Sequence, residues 1–229
     1  MIALLSVWSA DARGLETTIG EVDREVDGYH LDVMDGRLVD RTLFGPVTVE
    51  RVRRLTDRPI EVHLMVARAE RCVEDYVRAG ADIVTVHRAS CARLGAVIDA
   101  IADAGADPGL AIGTDEPVEL AGPYLGRLRH VLVMGTALGV KGAPIDGRTY
   151  QRVRRAHDLC RRVSRPPAVV VDGGIRATTA PRLAAAGADG VVPGSLVLSS
   201  PEPVARLRWL QGLTAARSEP PTRAFPARG

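Results

Sequence analysis

Lysine is nearly missing from this chain: Lys141 is the single one, every other basic position being arginine, and we attach no mechanism to that bias. Cysteine is scarce as well. Cys72, Cys91 and Cys160 are odd in number and widely spaced within helix-like stretches, which argues against a disulfide framework or a thiolate zinc site and fits a reducing, cytoplasmic setting. Hydrophobic runs are short. None approaches the roughly 18 apolar residues of a membrane helix, and the apolar start Met1 to Trp8 lacks a positive leader, so it reads as a first strand and no membrane partner is expected. Aromatics make up 3% of the residues, no basic block interleaves with them, and 30 Lys and Arg nearly balance 28 Asp and Glu. Nucleic acid is therefore not an expected partner.

What the chain does contain is 46% hydrophobic residues over 229 positions, enough to bury the core of one large α/β domain. Short apolar runs alternate with longer amphipathic ones. The spacing predicts strands at 2–7, 29–34, 60–66, 83–87, 109–112, 130–134, 168–172 and 190–193. Helices are expected near 11–25, 47–57, 68–79, 91–105, 116–125, 148–163, 176–186 and 201–211. Eight such pairs predict a closed eight-fold β/α (TIM) barrel as a single domain over 1–213, with a doubly wound open sheet as the alternative. Closure is favoured because Asp35-Gly36, His87-Arg88, Gly135-Thr136, Asp172-Gly173-Gly174 and Gly194-Ser195 all fall at or just past the carboxyl ends of strands, which form one face in a barrel. Ala79-Gly80-Ala81, Ala104-Gly105-Ala106 and Ala186-Gly187-Ala188 read as helix stops on the opposite face. The Ser-, Pro- and Arg-rich stretch 214–229 reads as a disordered tail.

The chemistry concentrates at strand ends. In a strand over 29–34 the side chains of His30, Asp32 and Met34 share one face; the run 60–66 repeats the device with His63 and Met65, and the run 168–172 ends in Asp172. Two histidines and two aspartates at strand ends suggest a metal site, of a kind suited to one divalent ion such as Zn, Fe(II), Mn or Co.

Four motifs in order, Ser6-Val7-Trp8-Ser9-Ala10-Asp11, His30-Leu31-Asp32-Val33-Met34-Asp35-Gly36, Val62-His63-Leu64-Met65-Val66 and Val171-Asp172-Gly173-Gly174-Ile175, resemble the ribulose-phosphate 3-epimerase family over about residues 2–210. The resemblance implies a β/α barrel that binds one divalent metal and inverts C3 of a ketose phosphate. Carried over position by position, it implies His30, Asp32, His63 and Asp172 as metal ligands, with Asp32 and Asp172 doubling as acid and base. The residue types make physical sense for that task. Removing a proton beside a carbonyl gives an enediolate, whose charge a Lewis acid stabilises, and epimerisation needs proton exchange on both faces.

Met34, Met65 and Met134 end their strands and are expected over the same cavity, where thioethers exclude water. Gly173, Gly174, Gly194 and Ser195 supply backbone N–H groups where barrels commonly hold phosphate. Ser6 matches a family serine that reaches substrate, with a hydroxyl bonded to nearby backbone as the plain alternative. His87 is expected to hydrogen-bond behind the ligands, whereas His130 and His157 read as incidental surface or helix positions.

The match breaks after strand 6. A Pro-Gly-Phe-Gly-Gly-Gln type loop is the family pattern, but here 134–144 keeps glycines and gains Lys141, which either reaches phosphate or is solvated on a lid. Gly113 and Ala89 replace a family Asn and acid, and Arg41 lies where another Asn is common. These positions read substrate, not metal. A pentulose phosphate, D-ribulose 5-phosphate or D-xylulose 5-phosphate, is the first choice, with a hexulose or tetrulose phosphate, a pathway-specific sugar, or a non-catalytic sugar-phosphate-binding barrel as alternatives. The expected assembly is a homo-oligomer.

Overall fold

The computed structural model describes residues 1–10 and 14–213; Asp11 and the expected tail 214–229 lie outside the described residues. Eight parallel strands run in chain order around the sheet: β1 (Ile2–Ser6), β2 (Gly28–Asp35), β3 (Ile60–Met65), β4 (Ile83–His87), β5 (Asp107–Ile112), β6 (His130–Met134), β7 (Ala168–Asp172) and β8 (Gly190–Val192). The sheet closes on itself. β1 pairs with β8 through Ile2 with Gly190 and Ala3 with Val191, and on its other side with β2 from Leu4 with Gly28 to Ser6 with His30. That double pairing makes the protein a TIM barrel and removes the open-sheet alternative.

The pleat divides the apolar residues in two. Leu4, Ala111, Leu132, Met134, Ala168, Val170 and Val192 cluster inside the barrel, while the larger core packs the outer strand faces against the helices. Those helices are α1 (Gly14–Val22), α2 (Pro46–Arg53), α3 (Val73–Arg78), α4 (Leu94–Asp103), α5 (Thr149–Cys160), α6 (Ala180–Ala185), α7 (Ser195–Leu198) and α8 (Pro203–Gln211). One expected helix takes another form. The segment near 116–125 is a 3-10 run, Val118–Arg127, because Pro123 lies inside it and offers no N–H for an α-helical bond. Another splits, with a 3-10 turn at Ala69–Arg71 ahead of α3. The helix expected from 176 starts at Ala180, since Thr179 Oγ1 accepts the Arg176 N–H at 2.8 Å and holds the preceding residues in a turn. α7 and a two-residue antiparallel strand, Thr42–Leu43, were not anticipated.

At the amino ends of the strands, Gly80, Gly105 and Gly187 stop their helices at φ of 108°, 96° and 101°, a region L side chains avoid. An acid then precedes the next strand and reaches back. Asp27 accepts the Ala3 N–H at 2.8 Å, Asp82 the Ile60 N–H at 2.9 Å and Asp189 the Val169 N–H at 2.8 Å. Each carboxylate ties the start of one strand to the turn that enters its successor, so this face carries stability and leaves the other face for chemistry.

Candidate metal centre

The pleat of β2 points His30, Asp32 and Met34 inward, and register places partners beside them on β3: Glu61 next to His30, His63 next to Asp32, and Met65 next to Met34. Asp172 ends β7 opposite Met134 of β6. One ligand atom each from His30, Asp32, His63 and Asp172 lie within 4.8 Å of one another. Asp32 Oδ1 is 3.3 Å from His30 Nε2 and 3.5 Å from His63 Nδ1, and Asp172 Oδ2 is 4.0 and 3.7 Å from the same two nitrogens.

These separations fit a cation at their centre. Ligands about 2.0–2.2 Å from a tetrahedral ion stand about 3.4 Å from one another, close to the spacing seen. His63 Nδ1 adds a sharper test: it is buried and without a hydrogen-bond partner, although it is directed between two carboxylates. A buried nitrogen left bare in that position is costly unless something else accepts its lone pair. The four side chains could hold a metal ion.

Above the cluster lies an open cavity walled by Ser6, Met65, Met134, Lys141, Gly173, Gly174, Gly194 and Ser195 among others, with Asp32 and Asp172 on its floor. Met34 is not among those walls. It is buried, and it lies beyond the last β1 pairing of β2, where Leu43 of the short antiparallel strand is paired with it instead. Ser6 Oγ donates to Asp32 Oδ2 at 3.1 Å, a side-chain contact and not the backbone one. Gly173 and Gly174 take φ of 94° and 71°; a Cβ on the first would collide with Thr136 and on the second would come within 2.7 Å of Ile145. Lys141 sits on the wall with its ammonium donating to the Trp8 carbonyl at 2.9 Å and lying 5.7 Å from the centre of the Trp8 ring.

With this geometry in place, the comparisons decide the family. The ribulose-phosphate 3 epimerase family model matches residues 2–198. The ribulose-phosphate 3-epimerase of Bacillus subtilis is 33% identical over 194 residues, 84% of this chain and 89% of that protein. That of Rhodobacter capsulatus is 34% identical over 203 residues, 86% of this chain and 88% of that protein. The chain belongs to the ribulose-phosphate 3-epimerase family. Solved structures agree on the fold alone. The 3-hexulose-6-phosphate synthase of Salmonella typhimurium superposes with a TM-score of 0.68 at 18% identity, covering 93% of this chain and 98% of that one. Orotidine 5'-phosphate decarboxylase from Pyrococcus horikoshii gives 0.65 at 16% identity, covering 91% and 97%.

Sequence reasoning missed what lies beneath the four candidate ligands. His30 Nδ1 meets Glu61 Oε2 at 2.9 Å, and Glu61 Oε1 accepts from Thr85 Oγ1 at 2.7 Å and from His130 Nε2 at 2.8 Å. His30, Glu61, Thr85 and His130 are all 0% exposed. The reading of His130 as incidental is thus corrected: it starts β6 in phase with Leu132 and Met134, which puts its ring inside the barrel. His157 does lie on a helix, α5, packed against Gly187. His87 hydrogen-bonds behind the cluster as expected, Nε2 to Nε2 of His63 at 2.7 Å. Arg176, whose guanidinium donates to the Gly142 carbonyl at 3.2 Å, is a cation of the cavity wall that the motifs had not singled out.

The two carboxylates differ in proton affinity. Burial alone would raise both. At Asp32 the His30 and His63 rings reverse this and hold its carboxyl below the ordinary range. At Asp172 burial prevails; His30 and His63 pull it down, but the neighbouring charge of Asp32 works with burial and the group is pushed up to about 6. Glu61 is held well below its ordinary value, His130 and His30 outweighing burial, so it is an anion that only accepts hydrogen bonds.

Proposed function

We propose that the protein is a metal-dependent epimerase that inverts C3 of a ketose phosphate, D-ribulose 5-phosphate and D-xylulose 5-phosphate being the pair. The observation that carries this reading is the meeting of two imidazoles and two carboxylates within 4.8 Å at the mouth of the barrel. A divalent ion of the Zn, Fe(II), Mn or Co kind, bound by His30, Asp32, His63 and Asp172, would supply Lewis-acid stabilisation of charge on the substrate oxygens.

The chain's own residues divide the remaining work. Asp32 and Asp172 come from β2 and β7, well separated in the ring of strands, so one carboxylate removes the C3 proton from one face while the other returns a proton to the opposite face. Their unequal proton affinities suit one base and one acid. Ser6 holds the second oxygen of Asp32 and so fixes the direction in which the first points. Met65 and Met134 line the cavity with apolar, polarizable surface that keeps water from the enediolate. Gly173, Gly174, Gly194 and Ser195 offer backbone N–H groups to the phosphate, and Arg176 and Lys141 place positive charge on the same wall. That the ketose is a ribulose phosphate rests on the names of the relatives.

The test is exchange of the C3 hydrogen with deuterated water, run on a panel of ketose phosphates with and without a chelator. Exchange is expected with the pentulose phosphates, lost on chelation and restored by adding back the divalent ion. Asp32→Asn and Asp172→Asn are each expected to slow it by roughly 10³-fold with the fold intact. Sugar-phosphate binding without exchange, or exchange indifferent to both substitutions, overturns the reading.

A further inference from the structure

Beneath the four ligands, and away from any substrate, runs a second set of polar side chains that the reaction as described does not use. Its order is set by register. Glu61 of β3 stands beside His30 of β2, while Thr85 of β4, Gly109 of β5 and His130 of β6 follow one another as direct neighbours in adjacent strands. Gly109 is the reason the outer two can meet. A Cβ there would collide with Thr85 Oγ1 and come within 2.9 Å of His130 Nε2; without one, Thr85 Oγ1 and His130 Nε2 approach to 3.0 Å across the intervening strand. Both then reach the same oxygen of Glu61, at 2.7 and 2.8 Å.

The hydrogen-bond roles follow from the chemistry of a carboxylate, which accepts only. Thr85 donates its hydroxyl proton and His130 donates from Nε2, both to Oε1, so that oxygen is anchored from two directions. Oε2 faces His30 Nδ1 at 2.9 Å, so that nitrogen carries the proton. The other nitrogen of the ring, Nε2, lies 3.3 Å from Asp32 Oδ1 and 4.0 Å from Asp172 Oδ2, where it would give its lone pair to a bound cation. A partner that fixes both tautomer and plane of a ligand histidine raises its affinity for a metal.

We propose that His130 is a positioning residue for the metal centre, acting through Glu61 to set the tautomer and orientation of His30. It never touches substrate. The role rests on the metal-centre reading above, and it adds a residue from the far side of the barrel interior, two strands beyond Thr85. Thr85 and Gly109 serve the same end, one as a second anchor for Glu61 and the other as the space in which the anchors converge.

The experiment uses Co²⁺ as the probe, with its dissociation constant and visible absorption spectrum read on the full chain, and with circular dichroism and thermal melts as the check on folding. His130→Leu keeps an apolar-sized side chain but gives Glu61 no donor; His130→Gln keeps a donor. Glu61→Gln holds shape and replaces the anion. Loss of such a partner typically weakens metal binding about 10- to 100-fold, so that loss is expected for Glu61→Gln, about 10-fold for His130→Leu, and a value near the parent for His130→Gln. The cobalt bands should shift in His130→Leu and return in His130→Gln, which a purely structural role for His130 does not produce. Should His130→Leu fail to fold, Thr85→Val removes the other donor to the same oxygen and is read in its place. A parent protein that binds Co²⁺ and a folded His130→Leu or Thr85→Val that binds it equally, with an unchanged spectrum, overturns the inference alone. A parent that takes no Co²⁺ overturns the metal centre, and the inference falls with it.

Discussion

The Nε2 atoms of His63 and His87 face each other at 2.7 Å, their rings tilted by 32°. Two nitrogens at that distance share one proton. Burial, and beside it the His63 ring, keep His87 well below the ordinary imidazole range, so His87 is neutral and has one nitrogen able to accept. A cation held by Nδ1 of His63, between Asp32 and Asp172, would leave the shared proton on Nε2 for His87 to accept. His87 does for one imidazole what Glu61 does for the other.

Replacing His87 by leucine removes that acceptor. His63 then has no reason to keep its proton on Nε2, and competition against a fluorescent chelator should show zinc binding weakened about 10- to 100-fold. His87→Gln retains an acceptor oxygen and should recover most of the loss. Equal affinity in the parent and the leucine variant would show that His63 is oriented by packing alone.

Gly174→Ala is expected to damage folding and binding together. Its backbone sits at φ 71°, and the added carbon would stand 2.7 Å from Ile145 Cβ and 2.8 Å from the Ile145 backbone, which has little room to yield. A non-glycine residue held in that region costs of order 1–3 kcal/mol before the contact is counted. The urea midpoint should fall accordingly, and KM for the sugar phosphate should rise as the turn moves off the cavity wall.

Lys141→Met tests the segment over the mouth. The substitution removes the bond to the Trp8 carbonyl and the contact with its ring, while the Arg176 bond to Gly142 still holds the segment from the other side. KM is expected to rise about threefold to tenfold with kcat little changed, the size of effect one exposed charge-assisted hydrogen bond gives. Amide hydrogen exchange over 137–142 should quicken in step. A drop in kcat with KM constant would instead put Lys141 in the chemical step.

The barrel could be read from the sequence because each strand is a short apolar run, several of them followed by glycine or an acid as at Asp35, Gly113, Gly135 and Asp172, and such a pattern survives without knowledge of contacts. The four candidate ligands were legible for the same reason, since alternation along a strand sorts side chains by face. Glu61 and His130 obeyed that rule too, Glu61 in phase with His63 and Met65, His130 in phase with Leu132 and Met134. They were passed over because nothing local says that two polar side chains on β3 and β6 meet; only barrel closure and a glycine on β5 bring them together. The 3-10 run at 118–127 was hidden differently, by apolar spacing that suits a helix and a Pro123 that forbids a regular one.

Exposure differs sharply among the four candidate ligands. The side chains of His30 and His63 are fully covered, that of Asp32 is 5% exposed, and that of Asp172 is 17% exposed. An ion seated among them would thus enter and depart past Asp172, through the doorway a sugar phosphate uses. Substrate would then act as a stopper, and the rate at which a chelator strips the protein would report how often that doorway stands clear.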